Sequence, residues 1–316
     1  MSKIDKVPKF LYKYRAFSPR LLDMLVADEL YYSDPSDFND PFDCRPSLEA
    51  NLSNEKLEEI LLRMWDQRLT AEMQAAAETL KYRGLKTIEH IARHSQKKAS
   101  QFLQEARYNA TNPNIDVDNP LQQTLRQLLE EELLCRYDGG IVSFGTNAIC
   151  PLMWSHYGDQ HHGVCVGYSV PPDIASNIHK VAYGGSRKVL ASDIELMENN
   201  EEAKLRVDNA VLLTKAGSWR YEKEWRLIGQ RGVQNSHLEL EEVIFGMRCK
   251  STVKFAIIQA LANRKRPVKF SEMCEQIGTF KLKKRRLDED ELFSSFLPVR
   301  YRDVFDCFDV IEETEN

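Results

Sequence analysis

The segment SWRYEKEWRLIG, residues 218–229, contains the residues that are best suited to chemistry. Glu222, Glu224 and Arg226 follow one another at every second position. If the segment is a β-strand, alternate side chains share one face, and the two carboxylates then lie about 6–7 Å apart. At that separation both carboxylates can act on one substrate. The alternative is a solvent-exposed ladder in which Arg226 pairs with Glu224 and contributes under about 1 kcal/mol.

Aromatic side chains lie on both sides of this pair in the sequence, at Trp219, Tyr221 and Trp225. Aromatic neighbours favour a partly desolvated pair over an exposed ladder. Desolvation raises the pKa of a carboxylate and strengthens its field. We therefore predict that Glu222 and Glu224 are a catalytic pair.

A second group of candidates lies in SFGTNAICPLMWSHYGDQHHGVCVGYSV, residues 143–170. The pattern predicts a strand containing Ser143, a polar loop, a short helix opened by proline, and a second strand. The short helix carries Trp154 and Tyr157. A polar loop and an aromatic helix between two strands are a plausible wall for a ligand cleft.

The histidines of this segment raise the alternative of a metal site. His156, Asp159, His161 and His162 could be ligands, but their spacing matches no helical pair of histidines and no other cluster completes a site. We therefore expect no metal. We expect His161 and His162 to be solvated turn residues, and His156, beside Tyr157, to bind a ligand or relay a proton.

The early motif LYKYR, residues 11–15, is rich in aromatic and basic residues. Strand periodicity places its lysine and Arg15 on one face and its tyrosines, including Tyr14, on the other. The face with Arg15 is either a phosphate-binding face or the solvated side of an edge strand.

The loop SDPSDFNDPFD, residues 33–43, follows shortly afterwards. Its prolines and its aspartates, which favour Asx turns, stiffen the loop. It is either a pure turn or a rigid loop that presents Asn39 and Asp40 to a ligand.

The elements that must position these residues form an α+β pattern. Residues 9–45 predict strand, helix and strand, residues 52–136 predict helices, and strand-like runs dominate from residue 137 onward. We predict a single domain with a discontinuous core, residues 9–50 and 137–300, and a helical insert, residues 51–136. Residues 301–316 are an acidic tail.

The composition limits the class of protein. Hydrophobic residues make up 42% of the 316 residues and charged residues 29%, as in ordinary globular proteins. A net charge of -5 argues against a protein that coats nucleic acid or an anionic membrane, although a local basic patch can still bind phosphates. No apolar run approaches the roughly 20 residues of a membrane span. Seven scattered cysteines without a CxxC pair indicate reduced thiols in a cytoplasm.

The motifs LYKYR, FNDPFD, PLMWSHYGDQHHGVCVGYSV and SWRYEKEWRLI together resemble a widespread bacterial family of uncharacterised proteins, domain of unknown function 2971. The resemblance covers residues 10–246 discontinuously. It supplies no function, and neither the helical insert nor the tail carries a recognised motif.

The order of an early arginine, a serine on a strand and a late Glu-x-Glu is also similar to the arginine, serine, glutamate class of ADP-ribosyltransferases. That resemblance implies NAD as the substrate and a split, mostly antiparallel β core with the helical insert attached. The serine motif departs from the pattern of that class, because this chain has SFGT in place of Ser-Thr-Ser.

The resemblance to the transferases implies roles for particular residues. Arg15 would hold the phosphates of NAD, and Ser143 would support the cleft beside the nicotinamide. Glu224 would bind the nicotinamide ribose and stabilise an oxocarbenium-like transition state, and Glu222 would orient or deprotonate the acceptor. The other cofactor-binding candidates, of which the aromatic rings would stack on nicotinamide or adenine, are Tyr14, Trp154, His156, Tyr157, Trp225 and Arg226.

Two other functions stay open. One is a nucleic-acid-directed effector, a nuclease or base modifier, that uses Arg15, Arg226 and the run KLKKRR, residues 281–286, although DEDE follows that run and compensates its charge. The other is a non-enzymatic module that binds a nucleotide and docks a partner on the helical insert. For the transferase, the acceptor is a protein or a nucleic acid, and the biological setting expected from the family is phage defence or a toxin.

Overall fold

The computed structural model describes residues 6–82, 84, 86–112 and 117–294. The helices are α1 (Pro19–Ala27), α2 (Asn54–Thr79), α3 (Thr87–Asn109), α4 (Pro120–Arg136), α5 (Pro151–His156), α6 (Ala191–Leu196), α7 (Glu201–Leu212), α8 (Ser251–Leu261) and α9 (Glu289–Ser294). The strands are β1 (Phe10–Arg15), β2 (Glu29–Tyr32), β3 (Ser47–Glu49), β4 (Gly140–Phe144), β5 (Val164–Ser169), β6 (Ile178–Lys180), β7 (Ala182–Tyr183), β8 (Lys188–Leu190), β9 (Thr214–Lys215), β10 (Trp225–Gly229), β11 (Gly232–Asn235), β12 (Glu239–Phe245), β13 (Lys269–Glu275) and β14 (Leu282–Arg286).

These elements form two compact units, each assembled from separate stretches of the chain. The first unit contains residues 31–143 and 176–234. The second contains residues 8–30, 144–175 and 235–294. The helical segment between residues 51 and 136 belongs to the first unit.

The first unit has a core of helices. Leu57, Leu61, Leu125, Leu129 and Leu133 are completely buried where α2 packs against α4. Their spacing of three and four residues places them on one face of each helix, as the sequence predicted. The helices α6 and α7 and the short parallel pair of β3 with β8 close the same core.

A buried polar contact lies between α2 and α3. The hydroxyl of Ser95 on α3 donates a hydrogen bond to the carboxylate of Asp66 and accepts one from Thr70, both on α2. Ser95 is completely buried. A buried polar group left without its partners costs roughly 1–3 kcal/mol, so the contact favours one register between the two helices.

The strands of the first unit hold its candidate residues. A three-stranded sheet has the order β4-β10-β6, with β6 antiparallel to β10. The short strands β7 and β9 pair in parallel. Ser143 therefore lies on β4, and Trp225 and Arg226 lie on the adjacent strand β10.

The second unit is built on a five-stranded sheet with the order β1-β5-β12-β13-β14. Every neighbouring pair is antiparallel except β12 with β13, which is parallel. The strand β14 contains all but the first residue of the run KLKKRR, residues 281–286, for which the sequence indicated a solvated segment. It is an edge strand, and Leu282 is its buried residue.

The described part of the chain is a mixed α+β structure with mostly antiparallel sheets, which confirms the coarse fold class. None of its helices has both the length and the apolar composition needed to cross a membrane. The six cysteines in this part of the chain are free thiols. The acidic tail, residues 301–316, lies outside the described residues, and the single discontinuous domain stays a prediction.

Two adjacent glycines at the start of β4 provide a matched test of how this strand is packed. A Cβ added at Gly140 would lie 2.6 Å from the Cβ of Tyr32 and 2.9 Å from the Cα of Arg231, whereas one at Gly139 would come no closer than 3.4 Å to any atom. We expect Gly140→Ala to lower the free energy of unfolding by about 1–3 kcal/mol through overpacking. Gly139→Ala should change it by less than about 1 kcal/mol. Urea denaturation measures both, and equal effects would contradict this packing.

Candidate functional site

The segment that carries the two glutamates is not one continuous strand. Residues Gly217–Glu222 form a 3-10 helix, and Lys223 adopts a left-handed conformation with φ of 47°. The strand β10 begins only at Trp225. The expectation that Glu222, Glu224 and Arg226 share a face because of strand periodicity is therefore wrong for Glu222, because the chain turns sharply at Lys223. The turn nevertheless brings both carboxylates to the same cation.

That cation is Lys215, at the end of β9. Its Nζ lies 2.7 Å from an oxygen of Glu222, 3.1 Å from one of Glu224 and 3.2 Å from one of Asp43. Lys215 is 7% exposed and the three carboxylate residues are 3–4% exposed. The glutamates are thus a buried pair and not a solvent-exposed ladder.

Arg226 is the second cation and is completely buried. Its Nη2 donates to both oxygens of Asp43 at 2.8 Å, and its Nε donates to Glu224 at 2.8 Å. Its Nη1 donates to the carbonyl of Leu212 at 2.6 Å and contacts the Sγ of Cys44 at 3.0 Å. Arg226 therefore links the loop before β3, the end of α7 and strand β10. We call Asp43, Lys215, Glu222, Glu224 and Arg226 the charge cluster.

The charge cluster has three carboxylates and two cations, and so carries one formal negative charge in a buried place. Burial by itself raises the pKa of Glu224, but the charges of Arg226 and Lys215, with hydrogen bonds from Arg226 and Ser143, lower it to about 2. Burial by itself lowers the pKa of Lys215, but Glu224, Asp43 and Glu222 raise it above its ordinary value. The sequence predicted that desolvation would raise the pKa of the pair, and for Glu224 the two cations reverse that expectation.

The loop SDPSDFNDPFD contributes Asp43, its last residue, to the cluster, and its Asp40 binds an aromatic residue beside the cluster. Asp40 accepts a hydrogen bond from the Nε1 of Trp219 at 2.7 Å, and its other oxygen accepts one from the backbone N–H of Phe42 at 2.9 Å. Lys215 Nζ lies 5.3 Å from the centre of the Trp219 ring, within range of a cation–π contact. Of the two residues that the loop was expected to present, Asp40 is held inside the fold.

Cys44 follows this loop and is held in an unusual conformation. Its φ is 54°, in the left-handed region that favours glycine. Burial raises the pKa of its thiol to about 12, so the group that contacts Arg226 is a neutral thiol.

Ser143 reaches the cluster from β4. Its side chain hydrogen-bonds to Glu224, and this bond contributes to the lowered pKa of the carboxylate. Tyr183 approaches the same residue, and its hydroxyl oxygen accepts a hydrogen bond from the backbone N–H of Glu224 at 2.7 Å. The structure therefore brings together Ser143, Glu222, Glu224 and Arg226 of the predicted residues. Trp225 is buried on the same strand.

The other predicted residues belong to the second unit. Tyr14 and Trp154 pack edge to face with ring centres 5.1 Å apart, and both are buried. The Tyr14 hydroxyl donates to the carbonyl of Asn147 at 2.6 Å, and Trp154 Nε1 donates to that of Ala148 at 2.9 Å. His161 stacks on Trp154, so this histidine is not a freely solvated turn residue.

His156 and Tyr157 end the short helix α5 with their rings 6.3 Å apart. Arg15 ends β1, where it pairs with Val164 of β5. His161, together with the two residues before it, has a positive φ, so the DQH turn is left-handed throughout. These residues form the second group of candidates, and all of them belong to the second unit.

Sequence reasoning missed Lys215, Asp43 and Cys44 as members of the cluster. A buried arginine needs an acidic partner, and this rule directs attention to Arg226, which lies between the apolar residues Trp225 and Leu227. It does not identify Asp43, which lies 183 positions away in the sequence. Lys215 stands in LLTKAG with no pattern around it.

The chemistry open to the cluster follows from its charge. Glu224 is ionised at neutral pH and is not a proton donor there. A fixed anion in a buried place stabilises positive charge that develops close to it, and it does so more strongly than an anion in water. Within the described residues, no group of three His, Cys, Asp or Glu side chains is arranged to hold a metal ion.

Comparisons with known proteins match one part of the chain. Residues 153–227 match a family model described as a protein of unknown function, DUF2971. This stretch begins in α5 and ends in β10, so it contains WSHYGDQHHG and both glutamates of the cluster. No curated protein and no solved structure was found to match the chain.

The ionisation of Glu224 makes stability depend on pH in a defined direction. The pKa in the folded chain, about 2, lies below the ordinary 4.5, so the stabilisation is complete above pH 4.5 and is lost as pH falls towards 2. Integrated over that range it amounts to roughly 3 kcal/mol. We expect wild type to exceed Glu224→Gln in free energy of unfolding at pH 7, and the difference to shrink as pH falls below about 4.5. Urea denaturation at a series of pH values measures it, and a constant difference would show that folding does not lower the pKa of Glu224.

Lys215 and Lys188 form a matched pair for testing the buried network. Both belong to the first unit, but Lys188 pairs with Glu49 at the surface. We expect Lys215→Met to lower the free energy of unfolding by about 3–5 kcal/mol, because it removes the cation that three buried carboxylates share. Lys188→Met should have little effect. Similar results for the two variants, measured by urea denaturation, would mean that the cluster does not hold the fold.

Proposed function

We propose that the chain is an NAD-using enzyme of the ADP-ribosyltransferase type, which transfers ADP-ribose or cleaves its bond to nicotinamide. The observation that carries this proposal is the convergence of Ser143, Glu222 and Glu224 in a buried cluster of net negative charge. Cleavage of the glycosidic bond leaves positive charge on the ribose, and an ionised carboxylate stabilises that charge. Glu224, with a pKa of about 2, has the required charge at neutral pH.

The proposal gives each member of the cluster a different role. Glu224 stabilises the oxocarbenium-like transition state, and Glu222 orients or deprotonates the acceptor. Ser143 and Arg226 are positioning residues, because both hydrogen-bond to Glu224. Lys215 fixes the distance between the two glutamates, since its Nζ binds an oxygen of each.

The resemblance to the transferases also assigns NAD binding to residues of the second unit, with Arg15 on the phosphates and Tyr14, Trp154, His156 and Tyr157 on the nicotinamide or adenine ring. Those roles stay an expectation of the resemblance, and the proposal for the charge cluster does not use them. Trp225 is the aromatic candidate from the first unit. The split, mostly antiparallel core of the transferases is the fold that these roles require.

A non-enzymatic nucleotide-binding module is the second candidate, and one observation favours it. Every carboxylate of the charge cluster is ion-paired inside the fold, with the residues only 3–4% exposed. Networks of this kind can serve conformational specificity alone. In that case the aromatic group of the second unit binds a nucleotide without turnover.

The decisive experiment incubates the protein and NAD labelled in both the nicotinamide and the adenylate with a bacterial lysate. Nicotinamide release and transfer of labelled ADP-ribose are measured for wild type, Glu224→Gln and Glu132→Gln. Glu132 is a matched control, because it is 5% exposed and accepts a hydrogen bond from Arg68 Nε at 2.8 Å, away from the cluster. Loss of an electrostatic stabiliser should lower turnover by roughly 100- to 1,000-fold in Glu224→Gln. Glu132→Gln should keep the turnover of wild type.

Ser143→Ala keeps every charge of the cluster. It therefore tests the site even if Glu224→Gln fails to fold. Its circular dichroism should match that of wild type, while turnover falls. Tight NAD binding by wild type without any release of nicotinamide would support the binding module. If folded wild type neither binds NAD nor releases nicotinamide, both the transferase and the binding module are wrong.

A further inference from the structure

The solvent face of α3 carries exposed basic and polar side chains. Five of them are exposed and fall on the first half of the helix or at its start: Lys86, His90, Arg93, His94 and Lys97. The exposed amides of Gln101 and Gln104 extend the row along the same helix. We call these seven side chains the basic stripe.

The geometry of the helix shows that the stripe is one continuous surface. At about 100° per residue, the five basic positions fall within an arc of roughly 100°. The buried positions Ile91, Ser95, Ala99 and Leu103 lie on the opposite side, where α3 packs on α2. Lys86 and Lys97 are about 16 Å apart along the helix axis.

The cations of the stripe are only partly balanced by acidic neighbours. Among the described residues, no carboxylate lies within ion-pair distance of Lys86, Arg93 or Lys97, although the chain as a whole has a net charge of -5. Glu89, in the first turn of α3, lies three residues from Lys86 and four from Arg93. The three lysine and arginine charges outnumber this carboxylate, and the excess of positive charge on one helix face suits a binding surface for an anion.

We propose that the basic stripe of α3 is a binding surface for the phosphate backbone of a nucleic acid. Exposed lysine and arginine side chains bind successive phosphates and release their counterions. The imidazoles of His90 and His94 stack with ring centres 5.7 Å apart, and flat rings and amides are suited to contacts with bases and sugars.

A lipid surface fits this helix poorly. A helix that lies in a membrane interface buries an apolar face in the acyl chains. The apolar face of α3 is already packed against α2, with Ala99 and Leu103 buried there. The proposal is also independent of NAD turnover, because it concerns different residues and its test needs no NAD.

The test measures binding of two fluorescent probes, a DNA duplex of about 20 base pairs and a single-stranded RNA of similar length, by anisotropy between about 50 and 200 mM salt. The full chain is compared with the triple variant Lys86→Gln, Arg93→Gln, Lys97→Gln. We expect this variant to bind the preferred probe about tenfold or more weakly, with a slope of log affinity against log salt reduced by about 2–3. All three positions are exposed, and unchanged circular dichroism would show that the fold is kept.

The basic edge strand β14 provides the matched control. Lys283→Gln, Arg285→Gln, Arg286→Gln also removes three positive charges, from a strand on which Lys284 pairs with Glu242 and Arg285 with Glu272. We expect this control to bind like wild type. Equal loss of binding in both triple variants would overturn the proposal, because attraction would then follow net charge alone. Failure of wild type to bind either probe, or binding only to vesicles of anionic lipid, would also overturn it.

Discussion

The first unit depends on the ion pairs that hold five charged side chains in its interior. Arg226, completely buried, bonds to Asp43 and Glu224, and Lys215 joins these two to Glu222. Moving such charges out of water costs several kcal/mol for each ion, and only close pairing with good geometry offsets that cost. The cluster therefore forms only when the loop before β3, strand β9 and strand β10 are all in place.

This requirement links local conformation to long-range structure. The left-handed residues Cys44 and Lys223 each adopt a backbone conformation that is costly for residues with side chains. Cys44 directly follows Asp43, and Lys223 lies between Glu222 and Glu224. The ion pairs supply the energy that keeps these turns, and the turns place the carboxylates around Lys215. The same coupling keeps Glu224 ionised, which is the property that the proposed chemistry uses.

Much of the fold follows from periodicity in the sequence. The leucines of α2 and α4 repeat at three and four, and apolar runs predict β4, β5, β12 and β13, because these elements bury one face or one run of side chains. The turn at Lys223 could not be predicted in this way, since YEKEW alternates as a strand does. The partners of Arg226 could not be predicted either, because a contact between residues 43 and 226 depends on the whole topology and leaves no local pattern. In the helical segment the periodicity predicted the buried faces of α2 and α4, while neither the buried nor the charged face of α3 received an interpretation.

The hydroxyl of Ser95 fixes the rotation of α3 about its own axis relative to α2. Because it bonds to Asp66 and Thr70 on the facing helix, α3 cannot roll about its axis without separating buried polar groups. The side chains on the far side of α3 therefore point in one direction relative to α2. A single buried serine thus orients a surface of exposed side chains, because the helix sets their spacing and the buried hydrogen bonds set the direction in which they point.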